Sequence, residues 1–282
     1  MESQQKHPKQ FSFEFFPPKT DLGKAKLSDA IGELKPLKPR YVSVTFGAGG
    51  STQQGTIETV RYLMDRGLDA APHLSCIGAS RESIRELLQR YLDMGVKRIV
   101  ALRGDMPSGM REPGDFQYAN ELVEFIREET GDRFHLEVAA YPEFHPQAQS
   151  AQDDLANFKR KCDAGADAAI TQYFFNVDAY LRFIEDCDKQ GLALPIVPGI
   201  MPIINYKQLA RFSDACGAEI PRWLRWRLEG LGDDKGAIRA YGQEVNAELC
   251  RRLLEAGAPG LHFYTMNQAG PTAAIWRDLK LS

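Results

Sequence analysis

No apolar run in the 282-residue chain comes near the roughly 18 residues that cross a bilayer, so no membrane span is expected. Nor is there a C-x-x-C pair. The five cysteines (Cys76, Cys162, Cys187, Cys216 and Cys250) are odd in number and scattered, which suits reduced core thiols in a cytoplasm better than a disulfide framework. H-E-x-x-H is missing, and within His73-x-x-Cys76 the side chains of a strand would point to opposite faces, so no metal is expected. G-x-G-x-x-G and Walker A loops are absent too, which leaves no Rossmann or P-loop site for a dinucleotide. Positive charge is not in excess: the net charge of −3 gives no reason to expect nucleic acid. Met1 to Gln10 has no apolar stretch of the secretory kind and reads as a short mobile tail, residues 1–10, before one domain over 11–282.

What is present is an alternation. The hydrophobic share of 43% and charged share of 26% are ordinary for a globular protein. Strands are expected over Phe11 to Phe16, Tyr41 to Phe46, Ala70 to Ile77, Arg98 to Arg103, Leu136 to Tyr141, Ala168 to Phe175, Leu194 to Met201 and Gly260 to Met266. Helices fall between them, over Asp21 to Leu34, Thr52 to Asp65, Ser80 to Met94, Tyr118 to Thr130, Ala151 to Ala164, Val177 to Gln190, Tyr206 to Cys216 and Asp233 to Ala256, with a short last one. Met106 to Asp115 is a Pro- and Gly-rich interruption. Eight strands alternating with helices predict an α/β fold, a single-domain (β/α)₈ TIM barrel.

The first strand carries an unusual residue. In Phe11-Ser12-Phe13-Glu14-Phe15-Phe16-Pro17-Pro18 a carboxylate lies among four phenylalanines, with Ser12, Glu14 and Phe16 on one face. An acid in apolar company tends to titrate high and can donate a proton near neutral pH; the bland alternative is an exposed or Arg-paired glutamate. In a barrel the chemistry sits at the C-terminal ends of the strands. There lie Glu14, Thr45, His73, Arg103 with Asp105, Tyr141 with Glu143 and His145, and Gln172. Arg103-Gly104-Asp105 offers two charges across a glycine that lets a planar ligand come close, or an ion pair at the rim. Asn157-x-x-Arg160-Lys161, with Asp154 before it, is either a solvated helix face or a diphosphate holder.

Together these residues resemble the methylenetetrahydrofolate reductase family. The matching stretches are Ser12-Phe-Glu-Phe-Phe-Pro-Pro18, Val44-Thr-Phe-Gly-Ala48, Ala71-Pro-His-Leu-Ser-Cys76, Ala101-Leu-Arg-Gly-Asp105, Ala139-Ala-Tyr-Pro-Glu-Phe-His-Pro146, Ile170-Thr-Gln-Tyr-Phe-Phe175, Val197-Pro-Gly-Ile-Met-Pro202 and His262-Phe-Tyr-Thr-Met-Asn267. They run in the family's order along nearly the whole chain, at the length of its bacterial single-domain form.

The resemblance implies an FAD-containing barrel that reduces 5,10-methylenetetrahydrofolate to 5-methyltetrahydrofolate with NADH or NADPH by a ping-pong route, in cytoplasmic one-carbon metabolism. It implies a homo-oligomer with a folate substrate and a nicotinamide as its partners. It makes Glu14 the acid for the folate nitrogen, and places Asp105 between flavin and folate. Cofactor contacts would fall on Thr45, Phe46, Ala48, His73, Arg103, Gly104, Asp105, Tyr118, Ala119, Tyr141, His145, Asp154, Asn157, Arg160 and Lys161. Substrate contacts would fall on Gln172, Tyr180, Gln208 and Phe212, the last as a stacking surface or a buried helix residue.

Two positions depart from the family's pattern. Phe46 replaces a frequent Tyr, and Gln268 replaces a frequent Arg, which removes a cation near the folate tail. A flavin barrel oxidising an amine, such as proline dehydrogenase, is the rival enzyme. A non-catalytic folate- or flavin-binding regulator is the rival of another class.

Overall fold

A computed structural model of the chain describes residues 1–46, 53–105 and 114–281. Its strands are β1 (Gln10–Phe15), β2 (Tyr41–Val44), β3 (Ala70–Ser75), β4 (Arg98–Leu102), β5 (His135–Ala140), β6 (Ala168–Thr171), β7 (Ile196–Val197), β8 (Gly199–Ile200) and β9 (Gly260–Tyr264). The helices are α1 (Glu2–Gln5), α2 (Asp21–Leu34), α3 (Gln53–Met64), α4 (Arg81–Asp93), α5 (Ala119–Thr130), α6 (Ala151–Asp163), α7 (Val177–Lys189), α8 (Tyr206–Cys216), α9 (Arg222–Gly230), α10 (Lys235–Ala256) and α11 (Ala269–Asp278). Helix starts follow local chemistry. Thr20, Ser80, Ser150, Asn176, Asn205 and Asp234 each cap the helix that follows with a side-chain oxygen on a backbone N–H.

All strand pairs are parallel, in the order β7-β6-β5-β4-β3-β2-β1-β9-β8. The ends of this order meet in one stretch of chain. The strand expected over Leu194 to Met201 is two short pieces on either side of Pro198, because proline has no N–H for the ladder. β7 pairs with β6 and β8 with β9, so the broken strand is the seam that brings the barrel nearly to closure.

Alternation along the strands sorts residues into two compartments. Phe13, Phe15, Val42, Val44, Leu74, Ile99, Ala101, Leu136 and Val138 face outward into the core under the helices. Phe11 and Phe13 meet Trp276 of α11 edge-on, with ring centroids 5.1 and 5.7 Å apart. A separate small cluster of Tyr41, Ala71, Val100 and Ile170 fills part of the lumen.

Two features differ from the expectation drawn from sequence. Helix α9 was not foreseen, because only Leu224 and Leu228 are buried on it and its Trp223 and Trp226 are exposed, so no apolar stripe announces it. Residues 1–10, expected to be a mobile tail, make specific contacts: Gln4 is fully buried, donates to the carbonyl of Leu194 (3.2 Å) and accepts from the N–H of Ile196 (2.8 Å). No helix among the described residues is long and apolar enough to cross a membrane.

Candidate active site

Glu14 points into the lumen near the open end of β1, in register with Ser43 on one neighbouring strand and Tyr264 on the other. Its carboxylate Oε2 lies 3.2 Å from Nε2 of His73 on β3 and 3.5 Å from Nε2 of His262 on β9. Neither contact has the geometry of a straight hydrogen bond. Burial pushes the carboxyl's pKa up, but the two imidazoles pull harder and hold it at about 2, below its ordinary 4.5.

The expectation of a proton-retaining acid walled in by phenyl rings is therefore corrected. Phe11, Phe13 and Phe15 belong to the other face of the strand, and the lumen presents imidazoles to Glu14 instead. The strand end is tied down from β9. Thr265 donates its hydroxyl to the Glu14 carbonyl (2.6 Å), while the Asn267 amide donates to the Phe16 carbonyl (2.9 Å) and accepts from the Phe16 N–H (3.0 Å).

A second group of residues forms the rim after β4, β5 and α6. Gly104 sits at φ +84°, and a Cβ there would meet the Ser75 hydroxyl at 1.9 Å; that hydroxyl is itself held by the Arg103 carbonyl (2.8 Å). Arg103 reaches the Gln147 side chain (2.5 Å), and Asp105 beside it is exposed. Tyr141 and His145 meet edge-on at 4.7 Å. Burial raises the Tyr141 phenol to about 12, with Gln172 as a hydrogen-bond partner and Asp105 and Asp154 close enough to act on it.

Burial likewise lowers the His145 imidazole, whose backbone N–H donates to Asp154 (3.0 Å). On α6, Arg160 hydrogen-bonds Asn157, and the Lys161 ammonium, its pKa lowered by burial, donates to the Ala139 carbonyl at the end of β5. Thr45 has a buried hydroxyl oxygen with no hydrogen-bond partner among the described residues, and Phe46 packs partly buried against the core. Tyr118 is exposed at the start of α5, next to Ala119. Ala48 lies outside the described residues.

A third group surrounds the open ends of β6 and β8. Gln172 follows β6, and its amide oxygen accepts from the Tyr173 N–H (3.0 Å). Gln208 and Phe212, on α8, line a shallow groove with Met201, Pro202, Leu209 and Met266. Tyr180 is not part of this surface. It is fully buried between α7 and the barrel wall, stacked on Phe174 (5.8 Å) with its hydroxyl donated to the Ile196 carbonyl (2.7 Å), so no atom of it faces the open end.

His262, Ser12 and Tyr264 also line this site, beyond the residues expected from sequence. The signal was there: in the alternation of β9, His262 and Tyr264 share one face, as Ser12 and Glu14 do on β1. What the sequence does not announce is that β9 pairs with β1 and sets the two faces side by side.

A family model described as methylenetetrahydrofolate reductase matches residues 1–280. The 5,10-methylenetetrahydrofolate reductase of Pectobacterium carotovorum subsp. carotovorum is 44% identical over 269 residues, 95% of this chain and 89% of that protein. The enzyme of the same name from Escherichia coli (strain K12) is 43% identical, over 95% and 90%. Methylenetetrahydrofolate reductase (NADH) 1 of Arabidopsis thaliana is 40% identical over 96% of this chain but only 48% of its own length. Among solved structures, an uncharacterized protein from Clostridium thermocellum, described as binding two copies of 5-methyl-5,6,7,8-tetrahydrofolic acid, shares the fold. Its TM-score is 0.68 at 17% identity, covering 99% of this chain and 95% of that one.

Proposed function

The chain belongs to the methylenetetrahydrofolate reductase family, and from that premise we propose that it moves a hydride from NADH through bound FAD to 5,10-methylenetetrahydrofolate, in two alternating half-reactions. The observation that carries the proposal is Glu14: a carboxylate in the lumen, 3.2 and 3.5 Å from two imidazoles, below a rim rich in cations and amides. The names of the plant relatives, which specify NADH, support that donor. The folate bound by the Clostridium protein of the same fold supports a folate as substrate.

The rim residues fit a flavin dinucleotide. Gly104, at a φ of +84° and packed so closely on Ser75 that no Cβ would fit, fixes the turn that sets Arg103 and Asp105 at the rim. The Thr45 hydroxyl, without a partner among the described residues, can take a polar ring atom. Arg103, Arg160, Lys161, Asn157 and His145 are the donors a diphosphate needs, and Asp154 can accept from a ribose hydroxyl. Bound there, FAD supplies the two-electron carrier that no side chain can provide.

The chain's own residues manage the proton and the fit. Reducing the methylene group adds one hydride to carbon and leaves one proton to be placed on the ring nitrogen. Glu14 hands over that proton, drawing on the imidazoles that surround its oxygen. Asp105 and Gln172 hold the pterin, while Phe212 and Gln208 position substrate along the α8 groove. Gln268 is exposed and caps nothing with its side chain, so the folate tail meets an amide where relatives often offer a cation.

Glu14→Gln tests the scheme. Stopped-flow spectra should show the bound flavin still bleached by NADH, whereas its reoxidation by methylene-folate falls by roughly a hundredfold or more. Undiminished reoxidation would remove Glu14 from the reaction, and a purified chain that takes up no flavin would remove the scheme itself.

A further inference from the structure

The lumen of a (β/α)₈ barrel is ordinarily filled with branched aliphatic side chains. Here its closed end holds a string of polar ones. Ser12, Tyr41 and His262 stand in one register row on three adjacent strands, β2, β1 and β9. His262 Nδ1 and the Ser12 hydroxyl are 2.7 Å apart. Ser12 is also a side-chain hydrogen-bond partner of Tyr41, whose hydroxyl donates to Glu137 Oε2 on β5 (2.5 Å). Arg98 on β4 holds the other Glu137 oxygen (2.5 Å) and lies over the Tyr41 ring, 4.5 Å from its centroid. Side chains at both ends of this ion pair are under a tenth exposed. Such a buried pair is costly to desolvate and is no stability device in itself.

Counting hydrogens along the string fixes its direction. Glu137, clamped by Arg98, only accepts. The single hydroxyl hydrogen of Tyr41 is therefore committed to Glu137, and the Tyr41 oxygen can only accept from Ser12. The Ser12 hydrogen is then spent on Tyr41, so the Ser12 oxygen must accept from His262. We infer that Ser12, Tyr41, Glu137 and Arg98 act as a positioning string that keeps the proton on Nδ1 of His262, so that its Nε2 shares with Glu14 the proton delivered to substrate.

Nε2 of His262 is buried and faces Glu14 Oε2 at 3.5 Å, the long edge of hydrogen-bond reach. The pair holds one transferable proton in either of two forms, carboxylate with imidazolium or carboxylic acid with the Nδ1–H imidazole. In the step, the Nε2–H bond breaks as the proton passes to Glu14 Oε2, and the Glu14 O–H bond breaks as the substrate nitrogen takes it. His262 is left neutral with Nδ1–H intact and Glu14 ionised; water restores the proton after product leaves. The groups around His262 are Glu14 and Ser12 from β1, Tyr41 from β2 and Tyr264 from β9, with His73 of β3 on the same Glu14 oxygen and Glu137 and Arg98 behind Tyr41.

This inference rests on Glu14 being the acid of the proposed reaction, yet its first readout needs no turnover. Long-range ¹H–¹⁵N spectra of the FAD-loaded full chain labelled in its five histidines should show His262, assigned by its loss in His262→Asn, with Nδ1 protonated and Nε2 as the titrating nitrogen. Tyr41→Phe cuts the string below Ser12, and Ser12→Ala cuts it above, leaving the Tyr41 bond to Glu137 in place. Either should shift His262 toward the Nε2–H form and move the fall of folate reduction at high pH downward by about one unit. A polar core serving only to fix the fold would lower thermal stability and leave both readouts alone.

An Nε2–H tautomer in the wild-type chain overturns the inference, as does an unchanged tautomer and pH profile in Ser12→Ala. Failure of the functional proposal looks different: methylene-folate is still reduced by Glu14→Gln while the tautomer stays as described.

Discussion

Glu14 is pulled in opposite directions by its surroundings. Loss of water around the carboxyl favours the neutral acid, and His73 and His262 favour the carboxylate. The imidazoles win because both approach the same oxygen inside a lumen that screens charge poorly. The sign for stability follows directly. A carboxyl held near 2 in the folded chain, against about 4.5 when unfolded, stabilises the fold above pH 4.5 and loses that contribution as the pH falls from there toward 2. The stability difference between the wild type and Glu14→Gln, read from urea unfolding at a series of pH values, should therefore shrink across that window. A difference that stays constant would mean that the imidazoles do not stabilise the charged form. The residue itself stands out in the sequence as a carboxylate in an aromatic strand, but its titration direction does not, because both causes come from residues 59 and 248 positions away.

Elements are joined at their ends by single side chains. Asn267, just past β9, holds the backbone of Phe16 just past β1 through a matched donor and acceptor, at a φ of +53° that few residues other than Asn or Gly accept. Replacing it with Ala removes both bonds and leaves the strained backbone. Asn267→Ala should therefore cost about 2 to 4 kcal/mol in chemical unfolding and slow folate reduction by loosening the strand that carries Glu14. Unaltered unfolding would show that the strand ends need no clamp. The helices were readable from local periodicity, and the one after Ser80 also from its capping residue, whereas the caps at Thr20, Asn176, Asn205 and Asp234 emerge from the structure. Helix α9 was unreadable for the opposite reason, having exposed tryptophans where a buried stripe would have marked it.

For the whole molecule, closure depends on the five-residue seam Ile196 to Ile200, centred on Pro198. Gly199 lies where the ladder resumes, and a Cβ there would come within 2.2 Å of the Thr171 carbonyl and 2.7 Å of the Tyr264 ring. Tyr264 in turn donates its hydroxyl to that same carbonyl (2.7 Å), so one atom of β6 is tied to β9 across the seam. Gly199→Ala should open this seam, lowering stability by about 2 kcal/mol or more and weakening binding at the rim together with it. Thermal unfolding and flavin titration on one sample would check it, and wild-type values in both would show that the seam tolerates a side chain.

The sequence alone determined the alternation of strands and helices, the barrel, the family resemblance and the inward face of β1, since each rests on local periodicity or contiguous motifs. Tertiary structure decided which faces meet. It set β9 beside β1, which brought His262 to Glu14 and reversed the expected titration of that acid. It turned Tyr180 into the wall and strung Tyr41, Glu137 and Arg98 through the lumen. Contacts between residues far apart in the chain arise only when the sheet curls round on itself, and charge in a poorly screened interior answers to those contacts above all.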